Sequence, residues 1–299
     1  MTLEGEGTVL LTGARGFTGQ YLRANLEHIG WYVHGVVHGE TPGSDESACD
    51  LTDAAAVSTL VGQLRPTHVV HLAGLAFVGE SDVEAFYRVN VLATTNLLAA
   101  LGQHADNVRK VVIASSANVY GRPSVECVDE SLCPAPVNHY GCSKLAMEHM
   151  ARTWFERLPI ILTRPFNYTG VGQAAHFLIP KIVDHLRRGA SAIELGNTAV
   201  SRDFTDVRDV VQTYTHLLAS DACSQTVNIS SGRSVSLDWI IQYMQELAGY
   251  EITIHRNPAL MRSSEIPRLQ GDNTRLKQLT GFVPGIPMEE TLKWMYAGA

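Results

Sequence analysis

The chain has no run of apolar residues approaching the ~18 that a membrane-spanning helix needs. Its first residues, Met1-Thr2-Leu3-Glu4-Gly5-Glu6-Gly7, are polar and acidic instead of basic and then apolar. A secretory signal is not expected from such a start. Basic charge is in short supply: 23 Lys and Arg face 30 Asp and Glu, for a formal net charge of −7. That balance argues against a general binder of nucleic acid or membrane surface, either of which calls for a basic face. Small anionic ligands stay open, because they answer to local charge. Paired cysteines are missing as well. The five cysteines (49, 127, 133, 142 and 223) are scattered and never spaced Cys-x-x-Cys. Free thiols in a reducing compartment, and so a cytoplasmic location, are expected. The 12 histidines never form His-Glu-x-x-His, and no metal site is expected. His68 and His71, three apart on a strand, fall on opposite faces and cannot share an ion. Internal repeats and low-complexity tracts are also lacking, which leaves out solenoids and disordered arrays.

What is present is a globular composition. The 299 residues are 45% hydrophobic and 18% charged, enough for a sizeable core. Strand-like and helix-like segments alternate through the first half. Strands are expected at Thr8–Thr12, Tyr32–Val37, 68–72, Lys110–Ala114 and 160–163. Helices are expected at 17–29, Ala54–Leu64, 83–101 and 140–157. Such alternation predicts right-handed βαβ crossovers and an α/β fold with a doubly wound parallel sheet. After Pro165 the rhythm loosens into a glycine-rich loop at 167–172, a helix at 177–188, a buried strand at 226–229 and a helix at 237–247. Residues 1–166, with about 203–230 returning to the sheet, are expected to form one domain. Residues 167–202 and 231–299 are expected to form a smaller C-terminal α/β lobe for substrate.

Between the first strand and the first helix stands Gly13-Ala14-Arg15-Gly16-Phe17-Thr18-Gly19. Glycine there lets the backbone turn tightly and approach a pyrophosphate, while the helix N-terminus offers N–H groups and partial positive charge. The spacing Gly-x-x-Gly-x-x-Gly resembles the loop of the extended short-chain dehydrogenases and nucleotide-sugar epimerases. Other parts of that family's pattern follow in order: Cys49-Asp50-Leu51-Thr52-Asp53, His71-Leu72-Ala73-Gly74, and Asn90-Val91 with Asn96-Leu97-Leu98. The resemblance covers essentially the whole chain. It implies a Rossmann domain whose cofactor touches Gly13, Arg15, Gly16, Phe17, Thr18, Gly19, His38, Asp50, Leu51, Leu72, Ala73, Gly74, Asn90, Ser115, Tyr140, Lys144 and Pro165. Asp50 would meet the adenine amino group. The helices near 83–101 and 140–157 would form a homodimer. NAD enzymes place an acid at the end of the second strand for the ribose 2′-hydroxyl. Here Val37-His38-Gly39 stands there, with no carboxylate until Glu40. Arg15, with His34 or His38, faces a 2′-phosphate instead, so NADP(H) is favoured, with NAD(H) the alternative.

Tyr140-Gly-Cys-Ser-Lys144 has the i, i+4 spacing that stacks two side chains on one helix face. An ammonium beside a phenol is expected to lower its pKa from near ~10 and fit it for proton exchange. Ser115-Ser116-Ala117-Asn118-Val119-Tyr120-Gly121 directly follows the buried strand at 110–114, where parallel sheets bind ligands. The resemblance implies Ser116, Tyr140 and Lys144 as the catalytic triad, with Ser115 supporting the cofactor side.

Family members that remove water carry an Asp-Glu pair right after the catalytic Thr or Ser; this chain has Ala117-Asn118. Those that epimerise and reduce use a Cys and a His; here those positions hold Ala117 and Phe177, with His176 one residue off. Plain reduction of a keto sugar, or simple C4 epimerisation, remains. Arg164 to Gln173, Gly196-Asn197, Ser201 to Val210, and Met261-Arg262-Ser-Ser-Glu265-Ile-Pro267 resemble segments of GDP-4-keto-6-deoxy-D-mannose reductases. The resemblance implies that Ser116, Asn167, Phe177, Lys181, Arg202, Arg262 and Glu265 bind a nucleotide-diphosphate sugar, the arginines clamping the diphosphate. The expected activity is NADPH-dependent C4-keto reduction of a 4-keto-6-deoxyhexose. A UDP- or dTDP-sugar 4-epimerase, a dTDP-4-keto-6-deoxyhexose reductase, and a non-catalytic NADP-binding sensor are the rivals. The Asp203/Asp206/Asp209 series is expected to fix a loop and cap a helix.

Overall fold

A computed structural model describes residues 7–76, 82–258 and 266–298. The first half runs β1 (Thr8–Thr12), α1 (Phe17–His28), β2 (Tyr32–Val37), β3 (Glu46–Ala48), α2 (Ala54–Leu64), β4 (His68–His71), α3 (Val83–Tyr87), α4 (Ala93–His104) and β5 (Lys110–Ala114). Then come β6 (Cys127–Val128), α5 (His139–Arg152), β7 (Ile160–Pro165), β8 (Asn167–Thr169), α6 (Leu178–Arg187), β9 (Ala192–Leu195) and β10 (Ser201–Asp206). The remainder is α7 (Val207–Ala219), β11 (Gln225–Ile229), β12 (Ser234–Ser236), α8 (Leu237–Ala248), β13 (Thr253–Arg256), β14 (Arg268–Gly271), α9 (Thr274–Thr280) and α10 (Met288–Ala297).

The main sheet has the order β11-β7-β5-β4-β1-β2-β3, with every pair parallel. Its strands read as continuous apolar runs because helices cover both faces. On one face α2, α4 and α5 pack Leu60, Leu97, Leu101 and Met147 against Val69, Val111, Ile113 and Leu162. On the other, α1, α7 and α9 pack Leu22, Leu26, Tyr214, Leu217 and Leu276 against Val9, Leu11, Val70 and Val112. His68 and His71 sit on opposite sides of β4, His68 against Trp31 and His71 bonded to Thr94 of α4. Strand order reverses between β1 and β4. A crevice therefore opens beyond their carboxyl ends, where doubly wound sheets take ligands.

A second apolar cluster is built by α6, α8, α10 and the β9/β13 pair, with Ile182, Leu186, Ile193, Ile240, Met244 and Leu292 at its centre. The strand β10 joins the halves: β12 and β14 pair with its start and β8 with its end. Asp206 caps α7 through the Arg208 N–H, and Asp203 takes the N–H groups of Ser231, Gly232 and Gly271. Although α9 lies in the last part of the chain, Leu276 buries it in the main body and Arg275 donates to the Thr226 carbonyl.

Three segments differ from the sequence expectation. The helix expected over 83–101 is broken by a π-helical turn at Arg88–Leu92 and then runs on to His104. The helix expected to 157 stops at Arg152. Its continuation tightens into i−3 backbone bonds that turn Trp154 onto Gly102, where a Cβ would meet the indole at 2.5 Å. The stretch expected as loop from 167 begins as β8, because β10 offers it a parallel edge. Among the described residues no helix is long and apolar enough to cross a membrane.

Candidate active site

The glycine loop is held by backbone contacts that tolerate no side chain. Gly13 has φ +70°, and a Cβ on it would lie 2.8 Å from the amide nitrogen of Ala73 beyond β4. A Cβ on Gly19 would lie 2.1 Å from the Gly13 carbonyl oxygen. The loop is thereby pressed between β1, the start of α1 and the turn after β4. Gly16 is the N-cap of α1 and no side chain caps that helix. Its first N–H groups are positioned for an anion. A dinucleotide pyrophosphate fits this cradle in shape and in charge.

Towards the adenosine end, Asp50 accepts from the amide and hydroxyl of Thr52 (2.9 and 2.7 Å), which keeps its carboxyl below the usual range. The backbone carbonyl of Leu51 accepts from Asn96 (3.0 Å). His38 is exposed just past β2. Arg15 reaches sideways to Glu40, Glu46 and the Thr41 carbonyl. Phe17 and Thr18 face Tyr168 of β8: the rings of Phe17 and Tyr168 stack at 6.1 Å, and the two hydroxyls of Thr18 and Tyr168 are 2.8 Å apart.

Near the reacting end, Gly74 permits a close approach. A Cβ there would stand 2.9 Å from Asn90 Oδ1 and 3.1 Å from Lys144 Nζ. The π-helical turn carries Asn90 inward. Its Oδ1 accepts the Leu75 N–H (3.0 Å), and its Nδ2 donates to Ser143 Oγ (3.0 Å) and to the Leu75 carbonyl (3.3 Å). Beneath it, His71 is buried between the Thr12 and Thr94 hydroxyls, and burial pushes its pKa down to about 3. It is therefore a neutral structural ring.

Ser116 and Tyr140 are both nearly buried, and the serine hydroxyl acts on the phenol. Asn118 fixes this pair: its backbone N–H (3.1 Å) and its Nδ2 (3.2 Å) both donate to Ser116 Oγ. With its lone pairs engaged, Ser116 has its one hydrogen to give to the phenol. Burial pushes Tyr140 up to about 12, against the pull of the Ser116 hydroxyl. This differs from the expectation of a phenol made acidic by Lys144. The ammonium donates to the Ala114 carbonyl (2.8 Å) and lies under Gly74, on the cofactor side of the cleft. Burial brings Lys144 itself down to about 8, with Glu148 pulling the other way.

Ser115 corrects a second expectation. Its hydroxyl is turned from the cleft and donates to Glu148 Oε1 (2.6 Å). Glu148 also receives Arg164 through two bonds (2.9 and 2.6 Å), and the guanidinium lies 4.7 Å over the Tyr120 ring. Glu148 is not among the residues expected from the sequence, although it follows Tyr140 and Lys144 at the same i+4 step and an acid on a buried helix face signals a partner. Tyr168 belongs to no motif and is not among them either.

The proposed substrate residues are less gathered. Asn167 is exposed at the start of β8, and Pro165 ends β7 beside Ile229. Phe177 is the N-cap residue of α6, while Lys181 spends its ammonium on the Glu194 carbonyl (2.7 Å). Arg202 donates to the carbonyls of Ser201 and Ile266, both at 2.8 Å. Arg262 and Glu265 lie outside the described residues.

The profile of the NAD dependent epimerase/dehydratase family matches residues 9–230. The chain is 35% identical to GDP-6-deoxy-D-talose 4-dehydrogenase of Aggregatibacter actinomycetemcomitans, over 91% of each chain. It is 33% identical to GDP-6-deoxy-D-mannose reductase of Pseudomonas aeruginosa, over 95% of this chain and 94% of that one. The structure of RMD from Pseudomonas aeruginosa complexed with NADPH superposes with a TM-score of 0.85, at 29% identity and 98% coverage of both chains.

Proposed function

Because the chain belongs to the NAD dependent epimerase/dehydratase family and is an NAD(P)-dependent oxidoreductase, we propose that it reduces the C4 ketone of a GDP-4-keto-6-deoxyhexose with NADPH. The substrate is GDP-4-keto-6-deoxy-D-mannose. The product is GDP-D-rhamnose or its C4 epimer, GDP-6-deoxy-D-talose, according to which face of the ketone meets the hydride. Bound NADPH supplies that hydride. The protein's own share is the proton and the charge. Tyr140 gives its phenolic proton to the oxygen developing at C4, and Ser116 donates a hydrogen bond to the same oxygen. Lys144 holds the nicotinamide ribose hydroxyls from its place under Gly74.

The observation that carries the proton transfer is the placing of Tyr140, buried with Ser116 and Lys144 beyond the carboxyl end of β5. The phenol is protonated at neutral pH and can give the proton that a ketone oxygen takes up on reduction. The neighbours of Ser116 support the same reading. Ala117 has no proton to give, and the Asn118 amide is held on Ser116 Oγ. The two GDP-6-deoxyhexose enzymes among the relatives support the sugar class. We also propose a homodimer through the helices from α3 to α4 and α5, where Val83 of α3, Leu92 of the π-helical turn and Met150 of α5 are exposed.

Freshly prepared GDP- and dTDP-4-keto-6-deoxy sugars, supplied with NADPH or NADH, test the proposal with the product identified by NMR. The GDP ketone and NADPH are expected to give one 6-deoxyhexose. Tyr140→Phe should lower kcat by about 10² or more. Purified protein that retains NAD and interconverts UDP-sugar C4 epimers without added reductant overturns the reading.

A further inference from the structure

Arg15 is flanked by two carboxylates that differ in kind. Glu46 is a fixture of the sheet edge, with its side chain 6% exposed. It accepts from Arg15 Nη2 (2.5 Å), Arg23 Nη1 (2.9 Å) and the Gly43 N–H (2.8 Å). These donors hold its carboxyl down to about 2, so it is charged at every working pH. The fold makes room for it: a Cβ on Gly35 would press on Glu46 Cγ at 3.2 Å and stand 3.4 Å from Arg23 Nη1. Glu40 lies three residues past β2 with its side chain 59% exposed, and it meets Arg15 Nη1 from the solvent side.

With Glu27 on Arg23 (2.8 Å), the two arginines are matched by three glutamates. A 2′-phosphate arriving here therefore meets a guanidinium that is already paired. Withdrawing Glu46 would break a buried carboxylate's bonds to both arginines at once, leaving Arg23 on Glu27 alone and Arg15 on Glu40 alone. Withdrawing Glu40 breaks one exposed pair, the kind that contributes least. Phosphate, with more charge and three oxygens, suits the guanidinium fork better than a carboxylate does. A ribose 2′-hydroxyl has the opposite preference, since it can donate to a carboxylate at this end of the second strand.

We propose that Glu40 is a specificity-determining residue of the cofactor site: it stands in for the 2′-phosphate on Arg15, yields that place to NADPH, and keeps it when NADH binds. Glu46 orients Arg15 in both cases. Glu40 thus weakens the enzyme's preference for NADPH, and the inference rests on the NADPH reading above.

The test is equilibrium binding to the full-length protein, with NADPH, NADH and 2′,5′-ADP as probes and fluorescence quenching or calorimetry as readout. Glu40→Gln is expected to tighten NADPH and 2′,5′-ADP about threefold to tenfold, consistent with removing one exposed competitor. NADH should bind no more tightly than to wild type. Equal tightening of NADPH and NADH, or a ratio of their Kd values that moves less than twofold, overturns the proposal. Arg15→Ala separates the two readings. If it weakens 2′,5′-ADP while Glu40→Gln does nothing, the role of Glu40 falls and the NADPH reading stands. If it leaves 2′,5′-ADP unchanged, Arg15 does not hold the phosphate and both fall.

Discussion

Lys144 is a cation held where water hardly reaches, and its proton couples the site to the stability of the fold. Burial lowers it to about 8 from an ordinary 10.5, with the Glu148 carboxylate opposing and neutral His71 nearby. Between these two pH values the unfolded chain carries a proton that the folded chain has released. Stability therefore rises with pH in that window, by about 1.4 kcal/mol per pH unit at most. Below pH 8 both states are protonated and the cost is fully present. Tyr140 acts the other way, since its folded value of about 12 lies above the ordinary 10, and stability falls from pH 10 upward. Urea unfolding of the cofactor-free protein between pH 7.5 and 9.5 is expected to show the rise. Lys144→Met should flatten it, and an unchanged slope in that variant would remove Lys144 as its source. The placing of Ser116 beyond β5 and of Tyr140 and Lys144 on one face of α5 was legible in the sequence, because an i, i+4 pair and a strand-end serine are local patterns. Asn118 and Glu148 were not, because what they do depends on partners that only the fold brings near: Ser116 Oγ for one, Ser115 and Arg164 for the other.

At the scale of elements, the parallel sheet was legible because burial on both faces writes each strand as an apolar run. The short strands β6, β8, β10, β12 and β14 were not. Each is two to six residues long and is defined by its neighbour more than by its own pattern. The π-helical turn at Arg88–Leu92 escaped for a related reason: at five residues it is too short to set a period of its own in the sequence. Its consequence is specific. It swings Asn90 under the turn after β4, where the side chain satisfies Leu75 twice and Ser143 once. Asn90→Ala strips these buried groups of their partner, and each unsatisfied group costs about 1–3 kcal/mol. The variant is expected to lose about 2–4 kcal/mol in urea unfolding. Its KM for NADPH should rise more than its kcat falls, since the displaced turn is part of the proposed cofactor site. A loss below about 0.5 kcal/mol would mean that the π-helical turn does not hold that loop.

At the scale of the whole molecule, α3, the π-helical turn and α5 each leave a large apolar side chain exposed. Val83, Leu92 and Met150 are 40%, 54% and 41% exposed, among the few large apolar side chains so placed. A single exposed leucine needs no explanation, but these three lie on helices that pack against one another. In a two-fold dimer each of them is buried twice, because the same patch meets itself. Fully burying a Leu or Met side chain contributes about 1.5–3 kcal/mol, and these are already about half buried, so about 1 kcal/mol each is the fair figure. Leu92→Glu with Met150→Glu removes four such contributions per dimer and sets like charges across the interface. The dissociation constant should rise at least about 100-fold. Sedimentation at micromolar concentration is expected to give twice the monomer mass for wild type and the monomer mass for the double variant. The cleft between β1 and β4 is built within one chain, so the monomer should still bind NADPH. A wild-type protein that sediments as a monomer, or a double variant that stays dimeric, would place the interface elsewhere.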